Sequence, residues 1–270
     1  MNALKEGFRR TVREPFAVGA LLVFHLAWSV PLYRFIEARV TEVMSRWPPP
    51  ELGRERAGLF VYDFLLTAQD VSVLLPLVGT LAACGLVRLV MVPALEAGVI
   101  DSLRDEHTPR GTAFIRGVRR LSVSFIWLYM LRLLLLAAPL WWVVPAVARS
   151  WSGAGTPMQF VLGAAPWLAL MAAWTAVVKL LMMYVLFALA DDDRLLAALG
   201  FALRRLLPVA GIALAVCAVS LAAGFALLAA SLYWAGFVSV VLYLVYPLLK
   251  VWLRVWGIAA QYRYWRTRRT

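Results

Sequence analysis

The sequence predicts an all-α, polytopic membrane protein of six transmembrane helices paired as three hairpins, with short amphipathic helices at the interface. Three observations carry that prediction. First, 63% of the 270 residues are hydrophobic and only 16% are charged, whereas a soluble chain needs roughly 45–50% apolar residues for its core. Second, the apolar residues fall in runs long enough to cross a bilayer core, about 20 residues at 1.5 Å rise each. Third, a small residue, an apolar residue and two arginines precede such a run three times: Gly7-Phe8-Arg9-Arg10, Gly117-Val118-Arg119-Arg120 and Ala202-Leu203-Arg204-Arg205. A motif repeated at this spacing marks a degenerate internal repeat that enters the membrane from one side each time.

The first span, 15–33, is free of charge between Glu14 and Arg34 and holds His25 and Pro31. Its basic leader lacks a prompt small-x-small cleavage site, so a retained signal anchor is expected. Segment 34–70 is mixed in character. Ile36, Val40, Val43, Met44 and Trp47 repeat at helical spacing before Pro48-Pro49-Pro50, and Leu59 to Leu66 is a second amphipathic stretch, so interfacial helices are expected in both.

The second span, 71–95, carries Arg88 near its end. A polar connection from Glu96 to Arg120 follows, with a turn signal at Thr108-Pro109-Arg110-Gly111. Span three, 121–145, contains Arg132, and Trp141, Trp142 and Trp151 cluster at its far end as an interfacial aromatic belt. Span four, 160–190, contains Lys179 and stops at Asp191-Asp192-Asp193. Between Arg205 and Lys250 no residue is charged, and that length exceeds one crossing, so a turn near 231–236 separates spans 206–230 and 237–260. A basic aromatic tail ends the chain.

Orientation follows from Lys and Arg placement. Sixteen lie in the amino-terminal segment, the second and fourth connections and the tail; six lie on the other side, Arg34, Arg39, Arg46, Arg54, Arg56 and Arg149. The positive-inside rule then places both termini in the cytoplasm and segment 34–70 outside. Arginine far outnumbers lysine, a bias expected of a GC-rich bacterial genome and hence of a bacterial inner membrane. The net charge of +12 fits anionic headgroups beside the spans, with no nucleic-acid partner. Cys84 and Cys217 lie in apolar runs as small packing residues; the lipobox-like Leu81-Ala82-Ala83-Cys84 lacks the basic leader of a lipoprotein.

Five cations fall within spans: Arg88, Arg132, Lys179, Lys250 and Arg254. A charge at the bilayer centre costs at least about 2.5–3.5 kcal/mol, so each requires a compensating arrangement. Arg88, Lys250 and Arg254 lie near helix ends and can snorkel. Arg132 and Lys179 lie deeper, each 11 residues from the cytoplasmic end of neighbouring antiparallel spans, and His25 sits at similar depth. With no Asp or Glu inside any expected span, an anion from outside the chain is the natural partner. Arg132 and Lys179, joined by His25 and Arg88, are therefore the candidate anion- or lipid-binding residues. Arg9, Arg10, Arg119, Arg120, Arg204 and Arg205 form a candidate cytoplasmic basic collar for anionic lipid. The lack of membrane carboxylates also argues against a proton- or sodium-coupled carrier.

Catalytic patterns are missing. Asp191, Asp192 and Asp193 are consecutive and point in different directions on a helix, so a solvated helix boundary is expected there in place of a magnesium site. Neither a nucleophile elbow, nor a phosphate-binding glycine loop, nor a zinc pattern occurs. No metal or other cofactor is expected.

The three small-apolar-Arg-Arg entries, with Pro93-Ala94-Leu95-Glu96-Ala97-Gly98 leading out of a span, resemble the YciC-like six-helix bacterial inner-membrane proteins. The resemblance is architectural. It implies an inner-membrane location and carries no catalytic residue. The expected function is a non-enzymatic membrane protein that binds anionic phospholipid and supports envelope function or a membrane complex, with a membrane-protein partner as a further expectation. The alternative is a transporter or flippase-like carrier for an anionic lipid or solute. A lipid-modifying enzyme using Asp191 to Asp193 is the third reading.

Overall fold

Runs of Leu, Ala, Val and Met with few interior breakers make helix the default state of this chain, and a computed structural model shows it. The structure describes residues 2–45, 71–105, 108–153, 157–233 and 237–269. They form α1 (Asn2–Val12), α2 (Pro15–Ser45), α3 (Val71–Arg104), α4 (Arg110–Ala137), α5 (Leu140–Ser152), α6 (Pro157–Ala190), α7 (Leu195–Arg204), α8 (Leu206–Tyr233) and α9 (Phe237–Arg269). Among the described residues there is no strand. Five segments among them are long and apolar enough to cross a membrane: Pro15–Ala38, Val78–Arg104, Gly111–Ser150, Met158–Ala190 and Leu206–Ser231. The protein is thus all-helical and polytopic. The sixth expected span, 237–260, lies within α9, which carries Lys250, Arg254 and the basic tail and is not among the five.

Several boundaries differ from expectation. The polar connection expected over 96–120 is mostly helical: α3 continues to Arg104, and α4 begins at Arg110 behind Pro109. Ala97-Gly98-Val99-Ile100 sustains the apolar pattern through Glu96, and a proline at the N-cap costs α4 no intrahelical donor. Instead of a separate interfacial helix after Tyr33, α2 runs unbroken through Pro31 to Ser45. The rest of that stretch, and Leu59 to Leu66, lie outside the described residues. The third expected span is divided by a turn at Ala138-Pro139, where proline's missing N–H interrupts the ladder.

The chain divides into two units, residues 1–19 with 93–270, and residues 20–92. In the first unit α4 packs on α6, α5 on α6, and α8 on α9. The short helix α1 lies along α9: Phe8 meets Trp252 edge-on at 4.9 Å, and the Trp256 indole donates to the Leu4 carbonyl at 2.9 Å. A separate amino-terminal helix was not expected. The reverse turn at Arg13-Glu14, with hydrogen bonds back to Arg10 and Thr11, separates it from α2.

The core of this unit sits at one end of the bundle. Ile100, Phe125, Tyr184, Phe187, Val255, Tyr262 and Trp265 are buried there, whereas Leu134, Trp141, Leu214 and Phe225 are exposed along the spans. A bilayer removes the need for the latter to find protein partners, since lipid tails are as apolar as they are.

Inside the core, the Tyr184 hydroxyl donates to Gln261 Oε1 at 2.6 Å, and Gln261 Nε2 donates to the Val209 carbonyl at 3.0 Å. That network joins α6, α8 and α9. The small residue of each repeated motif is buried in a helix contact. A Cβ on Gly7 would fall 2.7 Å from Ala260 Cα, one on Gly117 would fall 2.5 Å from Asp101 Cβ, and Ala202 is 1% exposed.

Candidate anion-binding cluster

Packing of α4 on α6 brings the two deepest cations of the first unit into one electrostatic neighbourhood. Lys179 on α6 interacts with Arg132 on α4, with Arg254 on α9 and with Glu96 on α3. Arg254 and Glu96 form an ion pair. Arg132 stands over the Tyr129 ring at 5.8 Å and, with Glu96, lines a cavity completed by Pro93, Phe125, Met182 and Leu186. That cavity measures about 10 Å³, room for no more than about one water. A larger anion must bind outside it; Lys179 and Arg254, both exposed, are not among its lining residues. Three cations and one carboxylate leave the cluster with a formal charge of two plus.

Glu96 and Asp101, expected in a polar connection, lie on the helical continuation of the apolar segment Val78–Arg104. The uninterrupted apolar pattern after Leu95 was the signal for it. Arg254, expected to snorkel, is instead paired. His25 and Arg88 belong to the second unit.

The arginine pairs divide by position. Arg9, Arg119 and Arg204, the first of each pair, are exposed. Each second arginine is engaged: Arg10 donates to the Leu103 carbonyl at 3.0 Å, Arg120 to Asp192 at 2.5 Å, and Arg205 stacks over Phe201 at 5.4 Å. A groove of about 480 Å³ runs along α4, lined by Thr112, Ile115, Arg116, Arg119 and Arg120. Most of its charge is matched, since Arg116 binds Asp101 at 3.0 Å and Asp105 at 3.1 Å, and Arg120 is held by Asp192.

The aspartate triplet ends α6 as expected, but only in part as a solvated boundary. Asp191 is 9% exposed and accepts hydrogen bonds from the Tyr262 hydroxyl at 2.9 Å and the Trp265 indole at 3.1 Å. Arg104 caps the helix by donating to the Ala190 carbonyl at 2.6 Å. Asp192 turns outward with a positive φ of 59°, and the guanidinium of Arg120, then that of Arg104, holds its carboxyl below the usual range. Burial, with the Asp191 charge beside it, pushes the Tyr262 phenol up, so it remains a donor. The carboxylates of Asp191 and Asp192 share the Arg104 guanidinium, at 3.8 and 3.5 Å, and otherwise face different partners, Tyr262 and Trp265 for Asp191 and Arg120 for Asp192.

Comparison with protein-family models, curated proteins and solved structures finds no match.

Proposed function

We propose that this chain is a non-enzymatic protein of the bacterial inner membrane, its termini cytoplasmic, that binds anionic phospholipid and supports envelope function or a membrane complex. The observation that carries the proposal is the Arg254–Glu96 ion pair beside Arg132, with Lys179 in the same electrostatic neighbourhood. Helix packing has set like charges side by side in an apolar setting, where a phosphate relieves their repulsion and meets arginine's forked donors. The exposed Arg9, Arg119 and Arg204 supply further headgroup contacts, worth on the order of 1 kcal/mol each near an anionic surface. A YciC-like architecture accords with this location.

Native mass spectrometry of the detergent-purified protein beside an Arg132→Ala/Lys179→Ala variant tests the proposal. Loss of a stoichiometric anionic phospholipid in the variant alone is expected. Equal retention in both refutes it. A second reading, a carrier for an anionic lipid or solute, draws on Glu96, an ion-paired carboxylate on a helix long and apolar enough to cross a membrane. It requires flux of a labelled anionic lipid in proteoliposomes that the same double variant abolishes.

A further inference from the structure

The four charges of the cluster are not equivalent. Glu96 side-chain exposure is 13%, against 48% for its partner Arg254, and Glu96 shares the wall of the small cavity with Arg132. It is therefore an internal anion that already occupies one of the donor positions a phosphate would take. Because it comes from α3 while the three cations come from α4, α6 and α9, it is part of the built fold and does not leave with the ligand.

We propose that the cluster, with Glu96 as its tethered counter-anion, selects a phosphomonoester over a phosphodiester. This rests on the anion-binding reading above. With Glu96 in place the cluster is two positive charges in excess, which a phosphomonoester matches at neutral pH with about −1.5 to −2. A phosphodiester headgroup supplies a single negative charge and leaves one cation uncompensated in an apolar setting. The ligand docks outside the cavity: Arg254 turns its remaining guanidinium donors to the phosphate, Lys179 adds a point charge, and Arg132 backs them from the cavity wall.

One added unit charge at about 4 Å is worth roughly fivefold in affinity even with the dielectric constant of water. Removing the carboxylate raises the excess charge and tightens phosphomonoester binding. Removing Arg254 does the reverse.

The test is native mass spectrometry of the full chain in detergent. It is titrated with phosphatidic acid and with phosphatidylglycerol of the same acyl chains, then challenged with inorganic phosphate. The expected result is a preference of at least about fivefold for phosphatidic acid in the wild-type protein. Glu96→Gln binds it more tightly and Arg254→Gln loses the preference. Release of phosphatidic acid by inorganic phosphate assigns the site to a water-soluble phosphomonoester, and retention assigns it to the lipid; both support the proposal. Equal wild-type affinity for the two lipids overturns it, as does weaker phosphatidic acid binding by Glu96→Gln. If Arg132→Ala/Lys179→Ala abolishes lipid retention while the two lipids bind equally, only this inference fails. If that double variant retains lipid unchanged, the underlying reading fails first.

Discussion

Replacing Gly117 with alanine adds one methyl group at the tightest helix contact of the first unit. The new Cβ would lie 2.5 Å from Asp101 Cβ, 2.9 Å from the Ala97 carbonyl oxygen and 3.2 Å from Gly98 Cα. Two of these three are backbone atoms and the third is the root of a buried side chain, so no flexible group can swing aside. Carbon atoms pack at about 3.5–4.0 Å, which forces α4 away from α3 by about 1 Å or more. That displacement stretches the 3.0 Å bond from Arg116 Nε to Asp101 Oδ2 beyond hydrogen-bond range. Asp101, 1% exposed in its side chain, is left under-compensated at a cost of about 1–3 kcal/mol or more. Overpacking contributes about 1–3 kcal/mol more, and the gain of up to about 1 kcal/mol from replacing a helical glycine offsets part of it. A net loss of about 2–4 kcal/mol is expected. Gly200 in α7 has nothing within 4 Å of its Cβ position, so Gly200→Ala realises the propensity gain without the clash. Thermal unfolding in detergent, followed by tryptophan fluorescence, compares the two: Gly117→Ala lowers the midpoint and Gly200→Ala leaves it equal or higher. Shifts of the same sign and size refute the close-packing argument.

Two further outcomes follow from the same end of the bundle. The triple variant Arg10→Ala/Arg120→Ala/Arg205→Ala loses a carbonyl contact, an ion pair and a ring contact, and is destabilised by about 2–4 kcal/mol in chemical unfolding. Its counterpart Arg9→Ala/Arg119→Ala/Arg204→Ala keeps its stability and co-purifies with less anionic lipid; equal effects of the two triples contradict the division of labour. Asp192 gives a pH signature. Its folded-state pKa is lowered by Arg120 and Arg104, so its contribution is complete above the unfolded value of about 3.9 and is lost as pH falls through the lower folded value. At 63% side-chain exposure solvent screens most of that contribution. The wild-type advantage over Asp192→Asn is accordingly small at pH 7 and is lost as the pH falls below the ordinary carboxylate range. An advantage that grows on acidification contradicts the ion pairing.

Periodicity and apolar length were enough to read most of the long helices and the stop at Asp191, because each depends on local propensity and on what a bilayer tolerates; the turn expected at 231–236 falls partly outside the described residues. The repeated small-apolar-Arg-Arg motif was equally visible, but only as a topology signal. Its packing role was not, because whether Gly7 or Gly117 faces solvent or a partner helix depends on elements far away in the chain. Glu96 was the costliest misplacement. Charge alone suggested a loop, whereas the apolar residues on both sides of it extended α3 by two turns and brought the carboxylate to Arg254, far away in sequence.

The sequence by itself determined an all-helical chain with several helices long and apolar enough to cross a membrane, since these follow from composition, helical rise and bilayer thickness. Tertiary structure alone decided which charges meet. Packing of α4, α6 and α9 around the end of α3 turned four scattered ionisable residues into one cluster, and the same packing assigned one arginine of each pair to the fold and left the other exposed. Coulomb energy depends on distance in space, and distance in sequence does not contain it.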